Sequence, residues 1–316
     1  MQTRAIGSLN VSTVGLGCNN FGGRIDADAT ERVVLAALDA GITFFDTADI
    51  YGGTLSEEYL GRALRERRDE AVVATKFGVP IDDDRKGGGS AAYVRTAAED
   101  SLRRLGTDRI DLYQIHFPDA ATAIGETLGA LDELVRAGKV REIGCSNFSP
   151  EMLDDSSGVS RERALARFVS VQNEYSMLRR APEYGVLEAC ARNDVAFIPY
   201  FPLANGLLTG KYRHDQPAPE GSRLANLPAE RQADAFSQKN VTRVEALRGW
   251  ADAHGHSLLE LAFAWLLARR EVASVIAGAT KPEQARDNAA AASWVLREHE
   301  LAEIDELLER AKQAPA

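Results

Sequence analysis

Four side chains in this chain are of types that together move a proton onto an oxygen: Asp46, Tyr51, Lys76 and His116. A phenol is a weak acid, with an ordinary pKa of about 10. An ammonium a few ångströms away favours the phenolate and lowers that value. A carboxylate paired with the ammonium fixes its position and keeps it charged. A neutral imidazole facing the phenol can orient a carbonyl oxygen. Such a set would protonate an alkoxide as it forms, or remove a proton from an alcohol in the reverse direction. Taken singly, each residue has an ordinary explanation. Asp46 caps a turn, Tyr51 packs beneath a loop, Lys76 is a solvated strand end and His116 a satisfied core histidine. Their joint occurrence at successive strand ends is what singles them out.

The elements that must position them follow from the pattern. Within GITFFDTADIYG (41–52), the apolar, β-favouring residues 42–45 form a strand, and Asp46 stands where it stops. A hairpin and a first strand near 12–16 precede it. Helical spacing then alternates with short apolar runs. Helices are predicted at 29–40, 57–65, 93–105, 123–137, from Pro150, and at 182–193, 238–253, 257–269 and 282–291. Strands are predicted at 71–75, 110–115, 140–144, 168–171, 195–199 and 273–276. Eight strands each followed by a helix argue for one closed (β/α)8 barrel spanning 1–316, an α/β TIM barrel with an N-terminal β-hairpin. Ligands of such barrels meet the chemistry at the carboxyl ends of the strands. Two inserts, 79–90 and 205–236, follow strand ends and are expected to overhang that same mouth and set substrate choice. Gly15, Gly17 and Asn20 fall short of a Rossmann phosphate loop, since no helix starts there.

The 316 residues are 45% hydrophobic and carry a formal net charge of -10, which argues against a nucleic-acid scaffold or an anionic membrane as partner. Cys18, Cys145 and Cys190 are odd in number and contain no CxxC, so no disulfide framework is expected. No apolar run approaches membrane-spanning length and no leader pattern opens the chain, which points to a cytoplasmic protein. The five histidines lack metal-ligand spacing, so no metal is expected.

Seven ordered motifs then carry a resemblance: GITFFDTADIYG, VVATKFG, DLYQIHFPD, GKVREIGCSNFS, VQNEYSML, PLANGLLTGKY and VIAGATKPEQARDN. Over nearly the whole chain the sequence resembles the aldo-keto reductase superfamily, whose (β/α)8 barrel binds a nicotinamide cofactor without a Rossmann fold. The resemblance implies Tyr51 as general acid, Lys76 and Asp46 as the pair that tunes it, and His116 as the carbonyl-orienting residue. It further implies that Ser146, Asn147 and Gln172 hold the nicotinamide carboxamide and that Tyr200 stacks on its ring. Leu203, Gly206, Leu208 and Lys211 lie in the loop that resembles the pyrophosphate clasp, with Phe201 where many relatives have serine. Gly278, Thr280, Lys281, Gln284 and Asn288 look like the adenosine-phosphate pocket, and Lys281 leans the choice toward NADP. Lysine and arginine in parts of the family replace Gly278 and Gln284 respectively. Asp26, Phe21, Phe77 and Phe117 are expected at the rim of the mouth, where an aromatic rim suits a moderately apolar aldehyde or ketone. Two other readings share the fold: a cofactor-sensing regulatory subunit with little turnover, and a Schiff-base aldolase using Lys76 as nucleophile.

Overall fold

The computed structural model describes residues 1–212, 219, 222–226 and 228–313. Its strands and helices run β1 (Thr3–Ile6), β2 (Leu9–Ser12), β3 (Val14–Gly17), α1 (Ala27–Asp39), β4 (Phe44–Asp46), α2 (Leu55–Leu64), β5 (Val72–Phe77), α3 (Ala91–Leu105), β6 (Ile110–Ile115) and α4 (Ile124–Arg136). There follow β7 (Val140–Ser146), α5 (Pro150–Arg163), β8 (Phe168–Glu174), α6 (Val186–Asn193), β9 (Ala196–Tyr200), α7 (Ala229–Ala235), α8 (Gln238–Ala253) and α9 (Leu258–Leu267). β10 (Val275–Gly278), α10 (Pro282–Ala291) and α11 (Glu298–Gln313) end the chain. Strands β3 to β9 pair in sequence order, all parallel, and β10 returns to pair with β3. The ring closes where Phe197 of β9 exchanges backbone hydrogen bonds with Glu271 and Ala273 just before β10. This is the expected (β/α)8 barrel.

Strand parity decides which residues enter the barrel. Alternate side chains of a strand point to opposite faces, and both faces here are buried, which is why the strands read as nearly continuous apolar runs. Phe44, Ala74, Leu112, Val169, Ile198 and Ile276 face inward, where they meet Ile6, Leu9 and Val11 of the β1–β2 hairpin. Phe45, Val73, Tyr113, Ile143, Val171 and Phe197 face outward into the helix layer. The hairpin therefore plugs the amino-terminal end of the barrel. Arg4 fastens it there by donating to the backbone carbonyls of Leu267, Arg269 and Val272. The other end stays open; the inward parity of β4 and β5 continues there as Asp46 and Lys76, while on β8 a register shift between Phe168 and Ser170 resets the alternation so that Val169 and Gln172 both face inward.

The structure departs from the sequence reading in three places. Strands β5, β7 and β8 run further than predicted, so Lys76, Ser146 and Gln172 lie within strands rather than beyond them. Helix α11 was not anticipated; its charged sequence offers only a thin apolar stripe, of which Ile304 and Leu308 are fully buried. The insert at 79–90 contributes no residue to the main cavity and instead covers a separate one beside α3. Residues Pro217 and Gly221 of the second insert lie outside the described residues, while Pro219, Ser222 and Arg223 do line the main cavity.

Two glycines make a test of the helix layer. A Cβ at Gly61 on α2 would sit 2.2 Å from the Leu105 carbonyl oxygen, so α2 and α3 approach through that glycine, whereas a Cβ at Gly129 inside α4 meets nothing within 4 Å. Gly61→Ala is expected to cost about 1–3 kcal/mol through overpacking, and Gly129→Ala to gain roughly 0.5–1 kcal/mol of helix propensity. Denaturant midpoints of the two variants moving in opposite directions would bear this out; a shared direction would contradict it.

Candidate active site

A cleft of about 750 Å3 opens at the carboxyl ends of the strands. At its floor the Lys76 ammonium lies 2.7 Å from Asp46 Oδ2 and donates to the Thr47 carbonyl at 2.8 Å. The pair is buried, with side chains 0% and 3% exposed. The other carboxylate oxygen, Asp46 Oδ1, accepts from Gln172 Nε2 at 2.8 Å and from Gln114 Nε2 at 3.3 Å. Burial alone would drive the Lys76 proton off, but Asp46 and then Tyr51 outweigh it and the net shift of the ammonium is upward.

Tyr51 opens a short 3-10 turn over this pair, its ring centroid 5.2 Å from Lys76 Nζ. Gly52 and Gly53 follow with φ of 59° and 64°. A Cβ at Gly52 would sit 2.3 Å from the Phe21 carbonyl oxygen, so only glycine lets the turn close. Burial pushes the Tyr51 phenol above its ordinary value, against the downward pull of Lys76. The sequence reading of a net downward shift is thus corrected: in this state desolvation of the phenolate exceeds the attraction of an ammonium already neutralised by Asp46. His116 faces Tyr51 edge-on at 5.9 Å between ring centroids and stacks on Phe117 at 5.1 Å. Burial, with a contribution from Lys76, pulls its pKa down to about 3. The imidazole is therefore neutral at physiological pH.

Ser146, Asn147, Gln172 and Tyr200 line the adjoining wall. Tyr200 donates its hydroxyl to Asn147 Oδ1 at 2.9 Å, and Asn147 Nδ2 donates to the His116 carbonyl at 2.9 Å and to Ser146 Oγ at 3.1 Å. The chain then turns sharply, with Phe201 at φ 50°, Asn205 at 57° and Gly206 at 100°. Leu203, Gly206 and Lys211 reach the cleft, but Leu208 does not: its side chain is fully buried in the core. At the far end stand Gly278, Thr280, Lys281, Gln284 and Asn288, with Lys281 directly preceding the amino terminus of α10. Gln284 Oε1 accepts from both the amide (2.7 Å) and the hydroxyl (3.2 Å) of Thr280.

Of the rim residues expected, Phe117 is half exposed and borders the cleft, whereas Phe21 and Phe77 are wholly buried and Asp26 serves as the amino-terminal cap of α1. Sequence reading overlooked Gln114, Arg24 and Arg223. Gln114 was within reach, since it shares inward parity with His116 two residues on. Arg24 and Arg223 carry no local signal, because only the folding of two loops brings them to one mouth. Arg223 lies with its guanidinium 4.7 Å from the centre of the Phe201 ring, and burial, with Arg24 nearby, lowers its pKa.

Known proteins can now be set beside this geometry. The sequence model of the Aldo/keto reductase family matches residues 13–309. The chain belongs to the aldo/keto reductase family. Among individual family members, it is 33% identical to the aldo-keto reductase yakc [NADP(+)] of Schizosaccharomyces pombe, over 99% of this chain and 93% of that protein. It is likewise 33% identical to the L-glyceraldehyde 3-phosphate reductase of Escherichia coli K12, over 97% and 92% of the two chains. A solved glycerol dehydrogenase from Gluconobacter oxydans superposes with a TM-score of 0.83 at 33% identity, covering 98% of this chain and 95% of that one. This aldo/keto reductase is accordingly an oxidoreductase. Among the described residues no helix is long and apolar enough to cross a membrane, and no cluster of metal-ligating side chains occurs.

The depressed His116 pKa has a consequence for stability. Between the unfolded value near 6.5 and the folded value of about 3, the unfolded chain binds a proton that the native state refuses. Native stability therefore rises with pH across that window and is lost as pH falls through it, by up to roughly 4–5 kcal/mol for a shift of this size. His116→Asn should flatten the pH dependence of unfolding free energy between pH 6.5 and 4, measured by denaturant titration. An unchanged slope would mean that His116 is charged in the native state.

Proposed function

We propose that this aldo/keto reductase is an NADP(H)-dependent enzyme that reduces an aldehyde or ketone to an alcohol, reversibly, with Tyr51 as proton donor. The observation that carries this reading is the buried Asp46–Lys76 pair beneath a Tyr51 phenol that faces a neutral His116. The residues along the cleft fit a nicotinamide dinucleotide. Gln172 commits its amide nitrogen to Asp46, leaving the carbonyl oxygen for a carboxamide, and Ser146 and Asn147 adjoin it. Tyr200 offers a ring fixed through its hydroxyl. Gly278 lies where a Cβ would come within 2.9 Å of Asn20 Nδ2, which suits close passage of an extended ligand over bare backbone. Lys211, Arg24 and Arg223 supply cations for the pyrophosphate. Lys281, Thr280 and the start of α10 suit a 2′-phosphate, which would take over the donors now held by Gln284.

Reduced nicotinamide, when bound, supplies hydride to the substrate carbonyl carbon. The chain's own residues handle the oxygen. His116, neutral, orients the carbonyl by hydrogen bonding, and the Tyr51 hydroxyl donates its proton as negative charge builds. Because burial keeps the phenol protonated, the acid is present at neutral pH. Lys76, kept charged by Asp46, stabilises the phenolate left behind. In the reverse direction the same phenolate accepts the proton of the alcohol. The raised pKa of Lys76 leaves it no free amine, which disfavours a Schiff-base aldolase. The intact four-residue set favours turnover over a purely cofactor-sensing role.

Tyr51→Phe should lower carbonyl reduction by at least about 100-fold while the quenching of NADPH fluorescence on binding is retained. Wild-type turnover in that variant would overturn the proton-donor assignment. Lys281→Ala should weaken NADPH binding by about tenfold, as expected for loss of a charge-assisted phosphate contact, and leave NADH nearly unchanged. Arg223→Met should weaken both cofactors alike, since the pyrophosphate is common to them. Equal losses for both cofactors in Lys281→Ala would place the 2′-phosphate elsewhere.

A further inference from the structure

Behind the Tyr51 loop, on the side away from the main cleft, lies a second, open cavity of about 390 Å3, bordered by the 79–90 insert and α3. Asp49 forms part of its inner wall and is itself fully buried. Neither of its carboxyl oxygens meets a donor in hydrogen-bond geometry among the described residues, and the neighbouring hydroxyls of Tyr93 and Tyr113 are also without partners there. The Ile50 amide approaches the carboxyl without reaching that geometry. Asp49 and Tyr93 thus line one cavity with polar atoms that meet no partner among the described residues, and Tyr113 stands unpartnered nearby, a rare condition in a native fold.

The cations that act on Asp49 are held by other anions, and Lys86, Asp84 and Asp100 also line the cavity. Glu57 on α2 is an anion. Arg104 on α3 is committed to Glu57 at 2.7 Å, and Lys76 on β5 is committed to Asp46. Tyr93 on α3 and Tyr113 on β6 are neutral, their own pKa values raised by burial and by Asp49; Arg85 of the insert pairs with Asp82. A carboxylate desolvated in this company is more costly than the neutral acid. The backbone ties this position to the chemistry. The Asp49 amide donates to the Lys76 carbonyl at 3.0 Å, and the Tyr51 amide donates to the Ala48 carbonyl at 3.2 Å. Whatever moves residue 49 changes both ends of the Tyr51–Lys76 contact.

We propose that Asp49 is a positioning residue for Tyr51 that works as a neutral acid, and that its ionisation pulls the 47–51 loop toward the second cavity and moves Tyr51 out of register with Lys76. Hydration through that cavity is the relief open to the charged form, and Gly52 and Gly53 give the loop the freedom to take it. Burial, then Glu57, raise the Asp49 pKa to about 7, so the transition falls in the physiological range.

The test rests on the carbonyl reduction proposed above and uses single-turnover reduction with saturating NADPH from pH 5 to 9. The wild type should slow about tenfold between pH 6 and 8, the fall given by one ionisation centred near 7. Asp49→Asn should hold its pH 6 rate, within about threefold of wild type, up to pH 8. Glu57→Gln removes the anion and frees Arg104, so its decline should begin at lower pH; Asp49→Asn added to it should restore a flat profile. Profiles that coincide for wild type and Asp49→Asn, or a loss in Asp49→Asn equal at every pH, would overturn the proposal. Should Asp49→Asn not fold, the direction of the Glu57→Gln shift decides alone. If the wild type reduces no carbonyl, the reading of the site fails. The loop coupling is then decided by deuterium exchange of residues 46–53, which, corrected for intrinsic rate, should rise above pH 7 in wild type and not in Asp49→Asn.

Discussion

The buried ion pair between Lys76 and Asp46 is the constraint to which the rest of the molecule answers. Two opposite charges removed from water are tolerated only when each remaining hydrogen-bonding position is filled. Here the ammonium also meets the Thr47 carbonyl, and the carboxylate meets the amides of Gln172 and Gln114. Four strands must therefore present four inward residues at one height. A closed parallel barrel does this because its strands are tied side by side in fixed register, with Asp46 opposite Ala74, Lys76 opposite Gln114, and Ser146 opposite Gln172. A slip of one residue in any of them would turn its polar side chain into the helix layer.

The same register separates stability from chemistry. The hairpin and the inward apolar residues close the amino-terminal end, and the layer of helices covers the outward ones. Only the carboxyl end is left with polar side chains, concave shape and loops. The charged network of Glu57, Arg104 and Thr75 stands just outside β5 and links α2, α3 and the strand that carries Lys76. It faces the loop of Tyr51 from behind, so the cleft face of that segment and its support are built on opposite sides of it.

Much of this was legible in the chain. The alternation of apolar runs with helical spacing announced the barrel, and polar residues at the ends of those runs marked Asp46, Lys76 and His116. What misled was length and direction. Strand ends were drawn too short at Lys76, Ser146 and Gln172, because a polar residue entering a barrel interior looks the same in sequence as one leaving a strand. Helix α11 was missed because charge dominates its composition. The 79–90 insert was assigned to the substrate mouth because it follows β5, yet the chain turns outward there and covers α3 instead.

The sequence by itself determined the fold class, the four polar residues and their order, because periodicity and residue type are local properties. Only the tertiary structure decided that burial outweighs Lys76 in setting the Tyr51 phenol, that Leu208 belongs to the core, and that Arg24 and Arg223 share one rim. It alone placed Asp49 behind the loop with no hydrogen-bond donor among the described residues. These outcomes depend on desolvation and on which distant groups come within a few ångströms, and neither quantity exists until the chain has closed on itself.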